Sequence, residues 1–467
     1  MRRPSSSQLA AIAAVALFAS GCSQLDDLTA GWFTPSSRLS KLKGERIPVM
    51  SLDESLKPDP TLSGTDVVLP PPYRNDDWAN PGGYASNALY HLEANGPLRP
   101  IWIQQAGKGS DTQSRLTAPP IVVNNTVYVL DADTHLYAFD ARNGKPLWDK
   151  SLAPSGEQST LNELTLGIFG TDSSVDPTKG AGGGLASDGG MIFATTGFGD
   201  VIAMNASGKQ VWKTGLGVPI VNAPVASGGR VFVSSQDNHF FALAQSDGRK
   251  LWDHQGITES AGILESTSAA VAGEFVIVPY TSGELYALRV QNGRVAWNDM
   301  LTGTGGVTAL SELDDIAGRP VVDRDMVFAI SHSGVMAAIG LNSGERDWSR
   351  DIGGIQTPWA AGDYVYVLSK EQQILCLTRK EGRVKWVRQM QRWTDPDHDN
   401  PIVWAGPVLV SDRLILVSSQ GFAVSLSPYT GEVLGRMEIP SAAYIAPVVA
   451  KDTLYLWTND AQLVALR

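Results

Sequence analysis

Chemistry in this chain would have to come from few residues. Its six histidines are His91, His135, His239, His254, His332 and His398. Two histidines at close, regular spacing could hold a divalent metal, but none of these stands at such a spacing from another. His-Glu-x-x-His, Cys-x-x-Cys and Gly-x-Ser-x-Gly are absent. The acidic run Asp395, Asp397 and Asp399 in "TDPDHDN" has the alternation of a calcium loop. It lacks the loop's Gly and distant Glu, and so reads as a solvated loop. Residues 180–184 are rich in Gly, but no Gly-Lys-Ser/Thr follows to cradle a phosphate. Only Cys22 and Cys376 exist, and Cys376 sits in the apolar run "ILCL", where a small buried hydrophobe is expected. The residues assemble no catalytic constellation and call for no cofactor or metal.

What the chain does contain is a repeated phrase. "LYAFDARNGKPLW" ends at Trp148, and versions of it end at Trp212, Trp252, Trp297, Trp348 and Trp386. A seventh copy has Gly435 in the Trp position, and an eighth stops at Arg467 before its turn. Each copy parses as strand, Gly-containing turn, strand. Two further strands lie upstream, as in "IVV" from Ile121 and "VYVL" from Val127. Four short strands recurring at roughly 40 to 60 residues predict propeller blades. A four-stranded unit cannot bury its own face, whereas units stacked around an axis can. The Trp on each outer strand is expected to fill the gap to a neighbouring blade. A ring must also close, or its first and last blades expose edges. The orphan strand around Ile101, with Trp102 in the repeat position, is expected to complete the last blade against "LVALR". The fold class is therefore all-β: an eight-bladed β-propeller closed by its N- and C-terminal strands.

The chain has 467 residues, 43% of them hydrophobic, enough for one large ring. Its net charge of −11 and the lack of a Lys/Arg cluster exclude a nucleic-acid partner. Residues 1–21 read as a signal peptide: Arg2 and Arg3, an apolar stretch too brief to span a bilayer, then small residues before Cys22. "ASGC" resembles a bacterial lipobox, which makes Cys22 the acylated first residue of the mature chain. Ser23 after it favours the outer membrane, by resemblance to lipoprotein sorting. Several acyl chains anchor stably, at about 0.8 kcal/mol per buried CH₂. Residues 22–97, with "PDP" and "PPP", read as a tether whose aromatic second half can rest on the ring, and residues 98–467 as the propeller. Residues 156–184 read as an apolar insertion, packed down or docking.

The phrase Ala138-Phe139-Asp140, Gly144-Lys145, Trp148 resembles the repeat named after pyrroloquinoline quinone (PQQ) enzymes. Dehydrogenases of that fold use adjacent cysteines and a Ca²⁺ site with an Asp base; adjacent cysteines are absent here. A lipobox joined to such a ring resembles the BamB family of the β-barrel assembly machinery, over residues 99–467. The likeness is strongest across residues 298–386, with "LSELDDIAGRPVV" at 310–322. The resemblance implies a non-enzymatic lipoprotein on the periplasmic side of the outer membrane. It would bind the POTRA domains of BamA within the Bam complex and assist insertion of β-barrel proteins, with unfolded outer-membrane proteins as a further partner. Ile263, Leu264 and Glu265 stand where the family has a hydrophobic, Arg-containing contact loop. Asp314 and Asp315 stand at its acidic loop. The Arg has no counterpart in this stretch, and Ala317 stands at a second acidic position. Physically, Ile263 and Leu264 read as an apolar anchor and Asp314 and Asp315 as a steering rim, or the first pair packs under the ring and the second is merely solvated. The competing functions are a PQQ-dependent periplasmic dehydrogenase and a ligand- or polysaccharide-binding propeller lipoprotein.

Overall fold

The computed structural model describes residues 56–112, 114–154, 182–259, 267–303 and 313–467. It holds eight four-stranded antiparallel sheets. Blades 1 to 7 comprise residues 121–151, 183–215, 225–255, 270–300, 321–351, 359–389 and 404–438. Blade 8 takes three strands from residues 448–466 and its outer strand from Pro100–Gln105. The closing pair runs Ile103 opposite Val464 and Trp102 opposite Ala465. Beyond it, Arg99 and Arg467 exchange backbone hydrogen bonds of 2.8 and 3.0 Å. The predicted eight-bladed ring and its closing strand are both present.

Within a blade, the two middle strands are buried almost throughout and the outer strand alternates. In the outer strands of blades 2 to 5 the repeat Trp is the buried member. Each outer strand carries a register shift just before that residue, as between Ala138/Trp148 and Phe139/Pro146. A bulge bends a strand and increases its twist. Here it delivers the indole to the next blade. Trp102, Trp148, Trp212, Trp252, Trp297, Trp348 and Trp386 each donate Nε1–H to a carbonyl in the following blade's last turn, over 2.7–3.2 Å. The acceptors for Trp212 and Trp348 are Gln245 O and Arg379 O.

The turn glycine makes this docking possible. Gly382 has φ +61°, and a Cβ there would lie 2.5 Å from the Trp348 ring. The same stacking recurs at Gly144, Gly208, Gly248, Gly293, Gly344 and Gly431. Gly is thus required twice, for its positive φ and for its missing Cβ. The seventh blade shows why Gly435 can replace Trp. Its neighbour, blade 8, has no covalent last turn, because the chain ends meet there, so no turn glycine awaits an indole. Arg413 bridges that junction instead, donating to Ala94 O and Gly96 O.

The insertion expected over residues 156–184 ends earlier than anticipated. Gly183 and Gly184 open the inner strand Gly183–Asp188 of blade 2, pairing with Thr196 and Thr195. Gly184 is needed because a Cβ would lie 2.3 Å from that of Ala223. Residues 155–181 are outside the described residues. Of the segment expected as a tether, residues 56–97 belong to the same compact unit as the ring.

One comparison isolates the interlock. Gly228 has φ +60° and open space around its Cβ position. Gly228→Ala should cost only the left-handed strain of about 1 kcal/mol. Gly382→Ala should cost about 2 kcal/mol more, by displacing Trp348. Thermal unfolding of the two variants side by side checks the difference.

Candidate functional site

The turn between the second and third strands of blade 4, residues 280–284, gathers the bases of both expected contact loops. Glu284 is buried, 4% exposed, and spends its carboxylate inside the protein. Oε2 accepts from Ile257 N at 2.7 Å and from Ser282 Oγ at 2.8 Å. Oε1 accepts from the Tyr286 hydroxyl at 3.0 Å. The Tyr280 hydroxyl lies 2.8 Å from His254 Nδ1. Burial pushes both tyrosine hydroxyls above their usual range, and the Glu284 charge adds to it. Burial holds His254 below the usual imidazole value, which keeps it neutral at neutral pH. Asn238 completes the base: its amide donates to Ile257 O at 2.6 Å, and its oxygen accepts from Thr281 N at 3.2 Å. This polar cluster fixes the start of the loop that runs from blade 3 into blade 4.

The other loop meets the same turn. Leu301 N donates to Gly283 O at 2.8 Å and Ile316 N to Tyr280 O at 3.3 Å. Asp314 rests against Gly283, where a Cβ would come within 3.0 Å of its own Cβ. Asp315 is 3% exposed, and its carbonyl accepts from His332 N at 2.9 Å. Asp315 is therefore neither a rim charge nor a solvated one. It belongs to a strut between blades 4 and 5, and half-buried Asp314 is the acidic residue nearer the surface. Ile263, Leu264 and Glu265 lie outside the described residues, as does Cys22. Nothing in the sequence pointed to Glu284. Its signal was weak: a carboxylate at a turn position of an otherwise apolar strand.

The remaining chemistry-bearing residues are dispersed. His135 and His239, on the third strands of blades 1 and 3, each pair with an Asp of the outer strand beside them, at 2.7 and 2.8 Å. His398 stacks on Trp393. Asp395 folds its loop by accepting from Asp399 N and Asn400 N, and the loop is largely exposed. Cys376 is fully buried, which pushes its thiol far above the usual value. A cavity of about 510 Å³ lies at the inner strands, walled by Trp78, Leu89, Leu116, Arg319, Trp359 and Tyr444. The sequence has no adjacent cysteines, and among the described residues no group of three His, Cys, Asp or Glu could hold a metal.

A family profile described as outer membrane protein assembly factor BamB matches residues 51–172 and 169–388. The chain belongs to the BamB family. Its BamB relatives include that of Moranella endobia, 25% identical over 370 residues, which span 78% of this chain and 89% of the relative. The BamB of Yersinia pestis is 25% identical over 368 residues, 78% of this chain and 88% of the relative. Among solved structures, BamB from Moraxella catarrhalis superposes with a TM-score of 0.62 at 16% identity, covering 79% of this chain and 99% of that one. Quinohemoprotein alcohol dehydrogenase from Comamonas testosteroni gives 0.61 at 13% identity, covering 84% and 81%. These two likenesses show the propeller fold, which BamB proteins and dehydrogenases share.

In this BamB-family ring, Glu284 positions a loop. Glu284→Ala strips the acceptor from three donors at once, and each buried donor left unmade costs about 1–3 kcal/mol. Hydrogen exchange of residues 256–259 should accelerate strongly, while blades on the far side of the ring keep their protection.

Proposed function

We propose that the chain is a non-catalytic scaffold lipoprotein of the β-barrel assembly machinery. Acyl chains on Cys22 hold it at the periplasmic side of the outer membrane. The loops flanking blade 4 bind the POTRA domains of BamA, and the bound ring assists assembly and insertion of β-barrel proteins. One observation supports this reading most: the bases of the two loops that resemble family contact loops converge on one turn, residues 280–284, so a single partner surface could engage both.

The division of labour follows from residue type. Ile263 and Leu264 supply the apolar anchor, and Glu265 with Asp314 supply the charge that orients a basic partner. Buried apolar anchors carry most of an interface's energy, while rim charges govern encounter rate and its salt dependence. Asp315 contributes through the strut, not through contact, because it is buried. Loops on a rigid ring are suited to docking, since the blades fix their spacing while their residues remain free to vary.

Affinity purification from mildly solubilised envelopes should bring BamA down with the chain. Leu264→Asp should weaken that recovery at least tenfold, in keeping with hot-spot truncations of above about 2 kcal/mol. The thermal transition of the ring should stay unchanged. Undiminished recovery rejects the loop, and absence of BamA from the unmodified protein's eluate rejects the proposal.

A further inference from the structure

Residues 73–94 make one ordered circuit of the ring. Asn75 meets blade 8, where Lys451 N donates to its carbonyl at 2.7 Å and its amide donates to Val449 O at 2.9 Å. Blade 1 follows, with Val122 N donating to Trp78 O at 2.9 Å and Trp78 N returning to Val122 O at 2.7 Å. Ser187 N of blade 2 donates to Ala79 O at 2.7 Å, and Ala226 N of blade 3 to Asn80 Oδ1 at 2.9 Å. Val271 N of blade 4 donates to Ala85 O at 2.6 Å and Val322 N of blade 5 to Ser86 O at 2.9 Å. The Trp359 indole of blade 6 donates to Tyr90 O at 2.6 Å. In blade 7, Ser411 N donates to Leu92 O at 2.9 Å and Leu92 N to Leu409 O at 3.2 Å. The circuit then closes on itself, Tyr73 N to His91 O at 2.9 Å and Glu93 N to Tyr73 O at 2.8 Å.

The donor positions on the ring are equivalent. Val122, Ser187, Ala226, Val271 and Val322 each sit one residue before the last pair of their blade's first hairpin. All belong to innermost strands, whose second edge has no partner strand. An unmade backbone N–H buried at such an edge is costly, so the position calls for an acceptor. The circuit supplies one blade after blade, in β-augmentation reduced to a bond or two per strand. Its own polar groups are used as well: Asn87 donates to Pro320 O at 2.8 Å and Ala269 O at 3.3 Å. Asn75, Trp78, Asn80, Asn87, His91 and Leu92 are all buried.

We infer that the inner rim of the ring is an annular peptide-binding site, filled in cis by residues 73–94. Its ligand class is an extended polypeptide that presents backbone carbonyls and Asn amides. The same segment also reaches the 510 Å³ cavity. Trp78 and Leu89 are among its walls, with Leu116, Arg319, Trp359 and Tyr444. This inference is independent of BamA binding.

The test uses the full mature chain with specific protease sites placed in the exposed stretches at residues 63–64 and 95–97. After folding, both sites are cut and the product is run on gel filtration with mass detection. The freed segment should co-elute with the ring and separate only in denaturant. Asn80→Ala and Asn87→Ala should each speed its release, by about tenfold. Prompt release that leaves a ring of unchanged Tm overturns the inference. Hydrogen exchange on the uncut chain provides a second reading that needs no cleavage. The amides of Val122, Ser187, Ala226, Val271 and Val322 should be as protected as mid-sheet amides, and exchange within minutes would overturn the inference equally.

Discussion

Seven indoles hold this molecule in a ring. Each leaves the outer strand of one blade, crosses the gap, lies on a turn glycine of the next and gives its N–H to that turn's carbonyl. An indole buries on the order of 200 Å², worth a few kcal/mol in area terms. The hydrogen bond contributes less in net energy, but it fixes direction. Repeated at successive junctions, the contact sets the angle between neighbouring blades. That angle sets how many blades close a ring and where the rim loops fall. Everything proposed for blade 4 presupposes this spacing.

Much of this was legible because it is local and repeated. Trp348 and Gly382 stand out in the sequence by recurrence, and the strand around Ile101 stands out by having no partner nearby. Gly435 was visible as an exception, and its reason is topological: the blade it faces is the one cut by the chain ends. Other features left no periodic trace. Residues 73–94 show no alternation because eight different strands read them, each taking one or two groups. Gly183 and Gly184 look like loop residues, yet they form a strand edge where Ala223 and Thr195 crowd any side chain. Asp315 looks like surface because Asp usually is, but the strut between blades 4 and 5 encloses it. The Glu284 cluster joins residues from three segments, a convergence that only the folded ring creates.

The two faces of the ring carry different loads. One is stitched by the chain's own N-terminal segment, which satisfies the inner edges. The other carries the loops that enter each blade, among them the two anchored at residues 280–284. The scaffold role proposed above would benefit from that asymmetry. The stitched face is occupied by the chain itself, and the other can present irregular loops without endangering the fold. The same fold is found in a quinohemoprotein alcohol dehydrogenase, so the blades alone do not decide what a propeller does.

The interlock is tested most directly by proton exchange at the indoles. With ¹⁵N-tryptophan in the mature protein and each signal assigned by substitution, the account predicts slow exchange for Trp102, Trp212, Trp252, Trp297, Trp348 and Trp386, all at most 9% exposed, with half-buried Trp148 the fastest of the seven. Solvent-rate exchange at Trp212, Trp252, Trp297 and Trp348 would contradict it, because blades that are not latched there must be held together by something else.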